Sequence, residues 1–302
     1  MKRMSGSKNR WGVGVAFCLP MIVGLGGLTI YPILASFWYS VTDYAPFDKT
    51  NERVFVGLAN YQELLSDPRA WLSLWNTAYF AIFAVPLGMF AGLLLALLLN
   101  LKIKGMAFYR TMFFLPSIVP LIATVVLWGQ LLQPHRGLLN EFLRLVGISE
   151  RFIPLWLSDE FWAKPALVIM SVWGCGGGMV LYLAALQDVP QELYESAALD
   201  GASAWDRLWH ISLPMISPVL LFTGVMGLIG TMQYFAQAWV LTGGTGSPND
   251  ATLFYALNLF NTAFVEHRLG YASAMAWLMF VIILGATVGL MKMTSRYVYY
   301  HS

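Results

Sequence analysis

The amino-acid sequence predicts an all-α polytopic membrane protein with six transmembrane helices, and three observations carry this prediction. The chain of 302 residues is 58% hydrophobic and only 11% charged, whereas an ordinary soluble domain carries about 25% charged residues. Six stretches contain no Asp, Glu, Lys or Arg: 11–40, 73–100, 111–134, 165–187, 215–249 and 269–291. Each can cross a bilayer, which takes about 20 mostly apolar residues. A large soluble helical core would show apolar faces instead of uninterrupted apolar runs.

These stretches also divide the chain into regions. We expect a tail at 1–10, a first span with an outer interfacial segment at 11–71, a five-span domain at 72–292 and a second tail at 293–302. Within the domain the spans are expected at about 73–100, 111–134, 165–187, 215–242 and 271–291. The first apolar run is too long for the 7–15-residue core of a cleaved signal peptide, so it is interpreted as a span.

The distribution of charge predicts which side of the membrane each loop occupies. With six spans, both tails and the loops at 101–110 and 188–214 share one side and hold 10 Lys and Arg against 5 Asp and Glu. The three loops of the other side hold 8 against 11. The densest basic clusters, at residues 2–10 and 102–110, lie directly beside spans, where the positive-inside rule has most force. We therefore expect both termini in the cytoplasm.

Catalytic and metal-binding patterns are missing from the sequence. There is no G-x-x-x-x-G-K-[ST] loop to hold ATP phosphates, no H-E-x-x-H pair and no nucleophile elbow. The four histidines fall in loops or the tail, and Cys18 and Cys175 lie in apolar segments without neighbouring ligands. No basic patch with interleaved aromatics points to nucleic acid. We expect a protein that is not an enzyme and that itself binds no metal or cofactor.

The loop at 188–214 carries the clearest local pattern. Asp188 is expected to cap a helix that stops at Gly201, where only glycine adopts a left-handed conformation cheaply. Ser203, with Asp206 three residues later, predicts a capping box that starts a second helix. Pro214 is expected to end this second helix, because proline lacks the amide hydrogen and clashes with the preceding turn. The loop should therefore be a helix–turn–helix between two spans.

The surface of this loop indicates a protein partner. After Glu195 the first helix presents small residues, Ser196, Ala197 and Ala198, which another protein can approach closely. The second helix carries Trp205 and Trp209 on one apolar face. A helix pair that merely lies on lipid headgroups would be rich in Lys and Arg. Acidic residues dominate here instead, which favours a protein.

The same residues resemble a known family. The pattern E-[A/S]-A-x-x-x-G-x9-I-x-L-P is the signature of permease subunits of ABC importers, and the sole departure is a serine at the usual alanine. The matching positions are Glu195, Ser196, Ala197, Gly201, Ile211, Leu213 and Pro214. Further segments are similar to the carbohydrate-type branch, related to maltose and glycerol-3-phosphate permeases: YPILASFWYSVTDY, FVGLANYQELLSDPRAW, FFLPSIVP, QPHRGLLN and GYASAMAW. The similarity covers nearly the whole chain.

The resemblance implies a fold and a set of partners. It implies the type I ABC importer permease fold, with residues 72–292 as its transmembrane domain. The loop at 188–214, including Asp200 and Trp205, would be the cytoplasmic coupling helix. The implied partners are a second homologous permease, two copies of a cytoplasmic ABC ATPase that hold ATP and Mg, an extracytoplasmic solute-binding protein and membrane lipid. The location would be the cytoplasmic membrane of a bacterium or archaeon.

Polar and aromatic side chains within two spans are candidates for a solute pathway. Gln233 and Gln237, spaced i, i+4, are expected on one helix face, because uncharged polar residues at mid-membrane tend to face the bundle interior. The other candidates are Tyr234, Trp239, Ser171, Trp173 and Tyr182. Hydrogen bonds between helices explain the glutamines equally well, and core packing explains the aromatics.

Two functions follow from the sequence. The first is an importer subunit working by alternating access, for a sugar, an oligosaccharide or a related polyol. The second is a stand-alone secondary transporter or channel, although such a carrier usually has an intramembrane Asp, Glu or Lys. The solute itself cannot be read from the residues.

Overall fold

The computed structural model describes residues 7–46, 54–101, 103–294 and 298, with side chains from residue 14 onward. Helices make up most of this part of the chain. They are α1 Ser7–Leu25, α2 Tyr31–Ser40, α3 Ala59–Ser66, α4 Pro68–Leu99, α5 Met106–Ile118, α6 Leu121–Leu131, α7 Leu138–Leu145, α8 Glu160–Trp173, α9 Gly176–Gln187, α10 Gln191–Leu199, α11 Ala204–Arg207, α12 Leu213–Met232, α13 Ala236–Thr242, α14 Tyr255–Phe260 and α15 Leu269–Thr294.

Four helical stretches are long and apolar enough to cross a membrane: Gly14–Ser40, Pro68–Leu99, Ala204–Thr242 and Leu269–Thr294. Two bent pairs, α5 with α6 and α8 with α9, pass the same test when each pair counts as one span. The described residues thus hold six apolar helical segments. They overlap the six stretches that the absence of charge predicts.

Contacts between residues divide the chain into two units, and the first comprises Met1–Ser66 and Leu259–Leu278. In it a π-helical turn at Gly26–Ile30 joins α1 to α2. Two short strands, β1 Thr42–Asp43 and β2 Val54–Phe55, pair antiparallel. The Asn60 amide donates to the backbone oxygens of Ser40 and Thr42 at 3.0 Å each and so holds α3 beside the end of α2.

The second unit, Asp67–Asn258 and Met279–Ser302, is built around α4. α4 packs against α8, α9 and α12. One buried cluster, near the C-terminal end of α4, includes Ala96, Leu99, Leu186, Val189 and Ile216. A second cluster nearer the N-terminal end joins aromatic side chains of α4, of the break between α12 and α13 and of the chain after α13. Small and apolar residues along α4 make these close contacts possible.

Three predicted spans are broken helices. α5 and α6 are bent by 95° at Val119–Pro120, because the residue before a proline prefers an extended backbone. α8 and α9 are bent by 46° at Gly174–Cys175. α12 ends at Met232 and α13 starts only at Ala236. The helical segments that overlap the expected spans at 111–134, 165–187 and 215–242 thus each contain a break.

Parts of both basic clusters lie outside the described residues. Lys2, Arg3 and Lys102 belong to segments whose placement is not described, and the side chains of Lys8 and Arg10 are not described either. Most of the second tail, 295–297 and 299–302, is also outside. The sidedness of the termini stays a prediction from the sequence.

Candidate functional site

The loop at 188–214, which we call the candidate coupling loop, has a sharp turn at Gly201. Its first helix, α10, ends at Leu199, and Gly201 has a left-handed φ of +79°. The amide of Ala202 donates to Ala197 O at 2.9 Å, and the amide of Gly201 donates to Ala198 O at 3.2 Å. These two bonds form a Schellman motif, which satisfies the last carbonyls of a helix. The predicted stop is confirmed.

The predicted capping box is also present. The amide of Asp206 donates to Ser203 Oγ at 3.2 Å, and the amide of Ser203 donates to Asp206 Oδ2 at 3.0 Å. Ser203 Oγ also donates to the same carboxylate oxygen. These hydrogen bonds, from the side chain and the backbone of Ser203, lower the pKa of Asp206 below its ordinary value. The second helix of the loop therefore starts where the sequence places it.

Two details of the predicted loop are wrong. Asp188 does not cap α10; it is the C-cap of α9, and Pro190 occupies the N-cap position of α10 without a side-chain hydrogen bond. Pro214 does not end the second helix. A π-helical turn at Leu208–Ser212 precedes it, and Leu213 N bonds to Leu208 O across this wider turn. The turn places Pro214 in the first turn of α12, where its missing amide hydrogen is tolerated.

The signature residues divide into an exposed set and a packed set. Ile211 and Leu213 pack against the buried cluster that contains Val189 and Ile216. Tyr194 Oη lies 2.9 Å from Ser212 Oγ and ties α10 to the helix that follows. The residues that remain open to solvent are Glu195, Ser196, Asp200, Gly201 and Trp205, while Ala197 is half-buried. Ile211 and Leu213 thus anchor the loop, while most of its earlier site residues, from Glu195 to Trp205, are exposed.

The exposed surface of the candidate coupling loop also carries large apolar side chains. Trp205 is 66% exposed and Leu199 is 90% exposed. The Trp205 and Trp209 rings contact each other edge to face, with centroids 5.7 Å apart. Exposed apolar residues that are held in fixed positions are typical of a protein-binding surface.

A separate cavity of about 470 Å³ lies among α4, α5, α6, α8 and α12; we call it the central cavity. No acidic or basic residue occurs among its lining residues, all of which belong to the described part of the chain. They are Phe80, Pro116, Ser117, Val119, Leu121, Thr124, Val125, Met170, Ser171, Trp173, Gly174, Gly227, Gly230, Thr231, Tyr234 and Gln237. Its volume falls in the range of small-molecule sites.

The central cavity contains polar groups without a hydrogen-bond partner among the described residues. The Tyr234 hydroxyl is buried without a hydrogen bond, and the Gln237 amide makes none within the described residues. The Tyr234 ring packs against the Phe80 ring, and the two ring centroids are 4.3 Å apart. Ser171 Oγ donates to Val168 O, which leaves its lone pairs free to accept. An unsatisfied buried hydroxyl costs free energy, so a ligand that binds it would recover that cost.

The structure separates the predicted pathway residues. Trp173, Tyr234 and Gln237 line the central cavity, whereas Gln233 and Trp239 do not. Gln233 and Gln237 do not share a helix face, because Gln233 is the C-cap of α12 and Gln237 lies in α13.

Tyr182 is buried, and its hydroxyl lies 2.7 Å from Thr223 Oγ1. It lines an adjoining apolar cavity of about 420 Å³ that shares Ser171, Gly227 and Thr231 with the central cavity. Its role is thus packing and helix bonding beside the central cavity.

Sequence reasoning missed the contribution of the broken span α5–α6. Ser117 and Thr124 line the central cavity on either side of the break at Val119–Pro120. The proline was a visible signal, since irregular backbone at membrane depth is tolerated where it lines a cavity. The glycine run at 174–178 allows α9 to pack closely against α5. A Cβ at Gly176 would lie 2.5 Å from Phe113 O, so glycine is needed where the two helices cross.

The family of binding-protein-dependent transport system inner membrane components matches residues 84–293. The chain belongs to this family. It is therefore the permease component of an ABC transporter, a multi-pass protein of the inner membrane, and not itself an enzyme. The resemblance drawn from residues 195–214 is confirmed, and a stand-alone carrier or channel is not favoured.

Individual relatives agree with the family. The permease is 37% identical to the probable ABC transporter permease protein YesP of Bacillus subtilis, over 96% of this chain and 92% of that protein. It is 35% identical to the trehalose/maltose transport system permease protein MalF of Thermococcus litoralis, over 93% of this chain and 92% of that protein.

A solved structure confirms the fold. A chain of a bacterial alginate ABC transporter, crystallised with an alginate pentasaccharide-bound periplasmic protein, superimposes with a TM-score of 0.83. The match covers 100% of both chains at 20% sequence identity. The ABC importer permease fold expected from the sequence is therefore the fold of this chain.

Proposed function

We propose that this permease is one of two homologous membrane subunits of an ATP-driven importer for a neutral sugar or oligosaccharide. The central cavity supports this proposal most strongly. It combines aromatic walls, unpartnered hydrogen-bond donors and no charged lining residue, the chemistry that suits a polyhydroxylated and uncharged solute. The name of the trehalose/maltose relative points to the same solute class.

The energy for transport would come from partner subunits. We propose that the candidate coupling loop sits on a cytoplasmic ATPase that holds ATP and Mg, with two ATPase copies in the complex, and that a binding protein delivers the solute on the opposite side. Both termini would then be cytoplasmic, as the basic clusters indicate. The exposed half of the loop signature, from Glu195 to Trp205, supplies the surface for the ATPase.

The loop can transmit force because it is continuous with a span. The π-helical turn at Leu208–Ser212 carries the chain from α11 into α12 without a flexible break. α12 contributes Gly227, Gly230 and Thr231 to the central cavity. A movement of the ATPase would therefore reach the cavity wall through one helix, which is what alternating access requires.

The test is uptake by the complete complex in proteoliposomes with ATP inside and the liganded binding protein outside. Trehalose, maltose and sn-glycerol 3-phosphate form the solute panel, and we expect uptake of a neutral sugar only. Gln237→Ala should reduce uptake by roughly two- to tenfold, since one hydrogen bond is worth about 0.5–1.5 kcal/mol. Gln233→Ala is the matched control, because Gln233 is exposed and outside the cavity.

Tyr234→Phe separates a solute contact from a structural role. The Tyr234 hydroxyl has no partner within the described residues, so its removal breaks no hydrogen bond inside the permease. We expect unchanged thermal stability together with slower uptake. Equal uptake by the wild type, Tyr234→Phe and Gln237→Ala would show that the solute does not use the central cavity.

A further inference from the structure

A second cavity lies at the end of the spans farthest from the candidate coupling loop. The broken span α8–α9 leads into that loop through Gln187, so the N-terminal end of α8 lies at the opposite end. There the first turns of α4, the start of α8 and the chain at 248–251 enclose about 900 Å³. We call it the distal cavity. Its lining includes Trp75, Asn76, Tyr79, Glu160, Phe161 and Lys164.

The distal cavity directly follows the central cavity along two helices. On α4, Tyr79 lines the distal cavity and Phe80 lines the central one. On α8, Lys164 and Pro165 line the distal cavity, while Met170 and Ser171 line the central one. With a rise of about 1.5 Å per residue, the two linings on α8 are separated by less than two helical turns. The two cavities are therefore neighbours along the same helices.

Cross-element hydrogen bonds hold the polar wall of the distal cavity. Asn76 Nδ2 donates to Asp250 O at 2.8 Å and to Leu253 O at 3.1 Å, which ties α4 to the chain after α13. Lys164 Nζ donates to Asn76 Oδ1 at 3.0 Å and lies 5.4 Å from the centre of the Tyr79 ring. The wall is therefore in place before any ligand arrives, which lowers the entropic cost of binding.

Within the described residues, the lysine in this wall forms no ion pair. Its neighbour on the same helix, Glu160, is hydrogen-bonded to the Asn249 amide, and no carboxylate among the described residues forms an ion pair with Lys164 Nζ. An ammonium has three donors, and Asn76 takes one of them. Both carboxylates of the lining, Asp159 and Glu160, argue against an anionic ligand. Free donors beside carboxylate and amide acceptors match the alternating hydroxyls of a neutral sugar.

Aromatic side chains complete the distal cavity. Trp75 is 63% exposed and Phe161 is 75% exposed, although both lie at a cavity rather than on a flat surface. Large aromatic faces beside hydrogen-bonding groups are typical of ligand pockets. Aromatic rings also occur at membrane interfaces without any ligand, and a neighbouring tryptophan of α4 outside the lining, Trp71, distinguishes the two roles.

From these observations we propose that the distal cavity is a second carbohydrate site, which holds a neutral sugar ring before it enters the central cavity. This inference rests on the proposed sugar-import function. It extends that function because it requires a solute site on this permease at the end of the spans opposite to the ATPase.

The test is protection of single cysteines in the detergent-solubilised complete complex, with Cys18 and Cys175 replaced by alanine. Ser158→Cys reports on the distal cavity, Ser171→Cys on the central cavity, and Ser149→Cys on an exposed position outside both linings. A small methanethiosulfonate reagent is added with or without trehalose or maltose. We expect one of the sugars to slow modification of Ser158→Cys severalfold and to leave Ser149→Cys unchanged.

Two further variants test the binding groups. Trp75→Ala should weaken the protection of Ser158→Cys about tenfold, the equivalent of about 1.4 kcal/mol. Trp71→Ala removes the same side chain one turn earlier on α4, outside the cavity lining, and should leave the protection intact. Equal loss in both tryptophan variants would identify the ring as an interface anchor and overturn the inference.

The outcomes separate the two proposals. Protection at Ser171→Cys without protection at Ser158→Cys would refute the distal site and leave the proposed function standing. Protection at Ser158→Cys alone would support the distal site and count against the central cavity as a sugar site. No protection at either cysteine by either sugar would contradict both.

Discussion

Substitution of Gly201 gives the sharpest test of how the candidate coupling loop works. Gly201 has a φ of +79°, and an added Cβ would meet no atom within 4 Å. The cost of a larger residue is therefore a backbone cost alone, about 1–2 kcal/mol for an ordinary residue forced into the left-handed region. If the backbone at position 201 instead leaves the left-handed region, the Schellman turn opens and the angle between α10 and α11 changes.

The expected loss of ATPase affinity follows from that cost. If the ATPase binds only the native turn, a backbone strain of about 1–2 kcal/mol in Gly201→Ala lowers the affinity of the permease for the ATPase by roughly 5- to 30-fold. Gly201→Asn should lose less, because asparagine tolerates the left-handed region, and Gly201→Val should lose most, because a β-branched residue is a true outlier there. The graded order of the three variants is itself part of the prediction.

The assay is titration of the purified ATPase onto the permease pair in nanodiscs, followed by solute-stimulated ATP hydrolysis. Gly105→Ala is the matched control: Gly105 has a φ of +82°, an added Cβ there also meets no atom within 4 Å, and it caps α5 outside the candidate coupling loop. It should carry the same backbone strain without loss of ATPase affinity. Equal losses in both glycine variants, or wild-type affinity in Gly201→Val, would refute the reasoning.

The remaining predictions concern sidedness and the loop surface. In a chain without other cysteines, Ser66→Cys should react with an impermeant thiol reagent in intact cells and Ser203→Cys should not; the reverse pattern would overturn the proposed orientation. Glu195→Ala should weaken ATPase assembly only mildly, because exposed ion pairs are worth about 0–1 kcal/mol. Adding Trp205→Ala should leave hydrolysis uncoupled or absent, since an aromatic anchor that becomes buried against a partner commonly costs over about 2 kcal/mol when it is truncated. Wild-type stimulation in the double variant would place the coupling surface elsewhere.

The loop illustrates what could be predicted from local sequence. The left-handed turn at Gly201 and the capping box of Ser203 and Asp206 both form as expected. Each depends on residues within five positions of one another, so a local pattern is enough to specify it. Pro214 was misjudged because its effect depends on the turn before it. A π-helical turn has no sequence signature as clear as a cap.

The central cavity illustrates what the sequence could not supply. Trp173, Tyr234 and Gln237 meet there, but they come from three separate helical segments or the breaks between them. The i, i+4 spacing of Gln233 and Gln237 suggested a shared face that the break after Met232 removes. Helical periodicity holds only while the helix continues.

By itself, therefore, the sequence determined the membrane class, the number of apolar segments and the turn of the candidate coupling loop. Hydropathy summed over about 20 residues and the φ preference of a glycine are both local quantities. Only the tertiary structure decided where the spans break and which side chains face a cavity. A helix can break inside the apolar region only where other elements satisfy the freed backbone groups. Long-range contacts of this kind also fix the connecting chain: the Asn76 amide donates to the backbone oxygens of Asp250 and Leu253, which are 174 and 177 residues away, a pairing that no local pattern encodes.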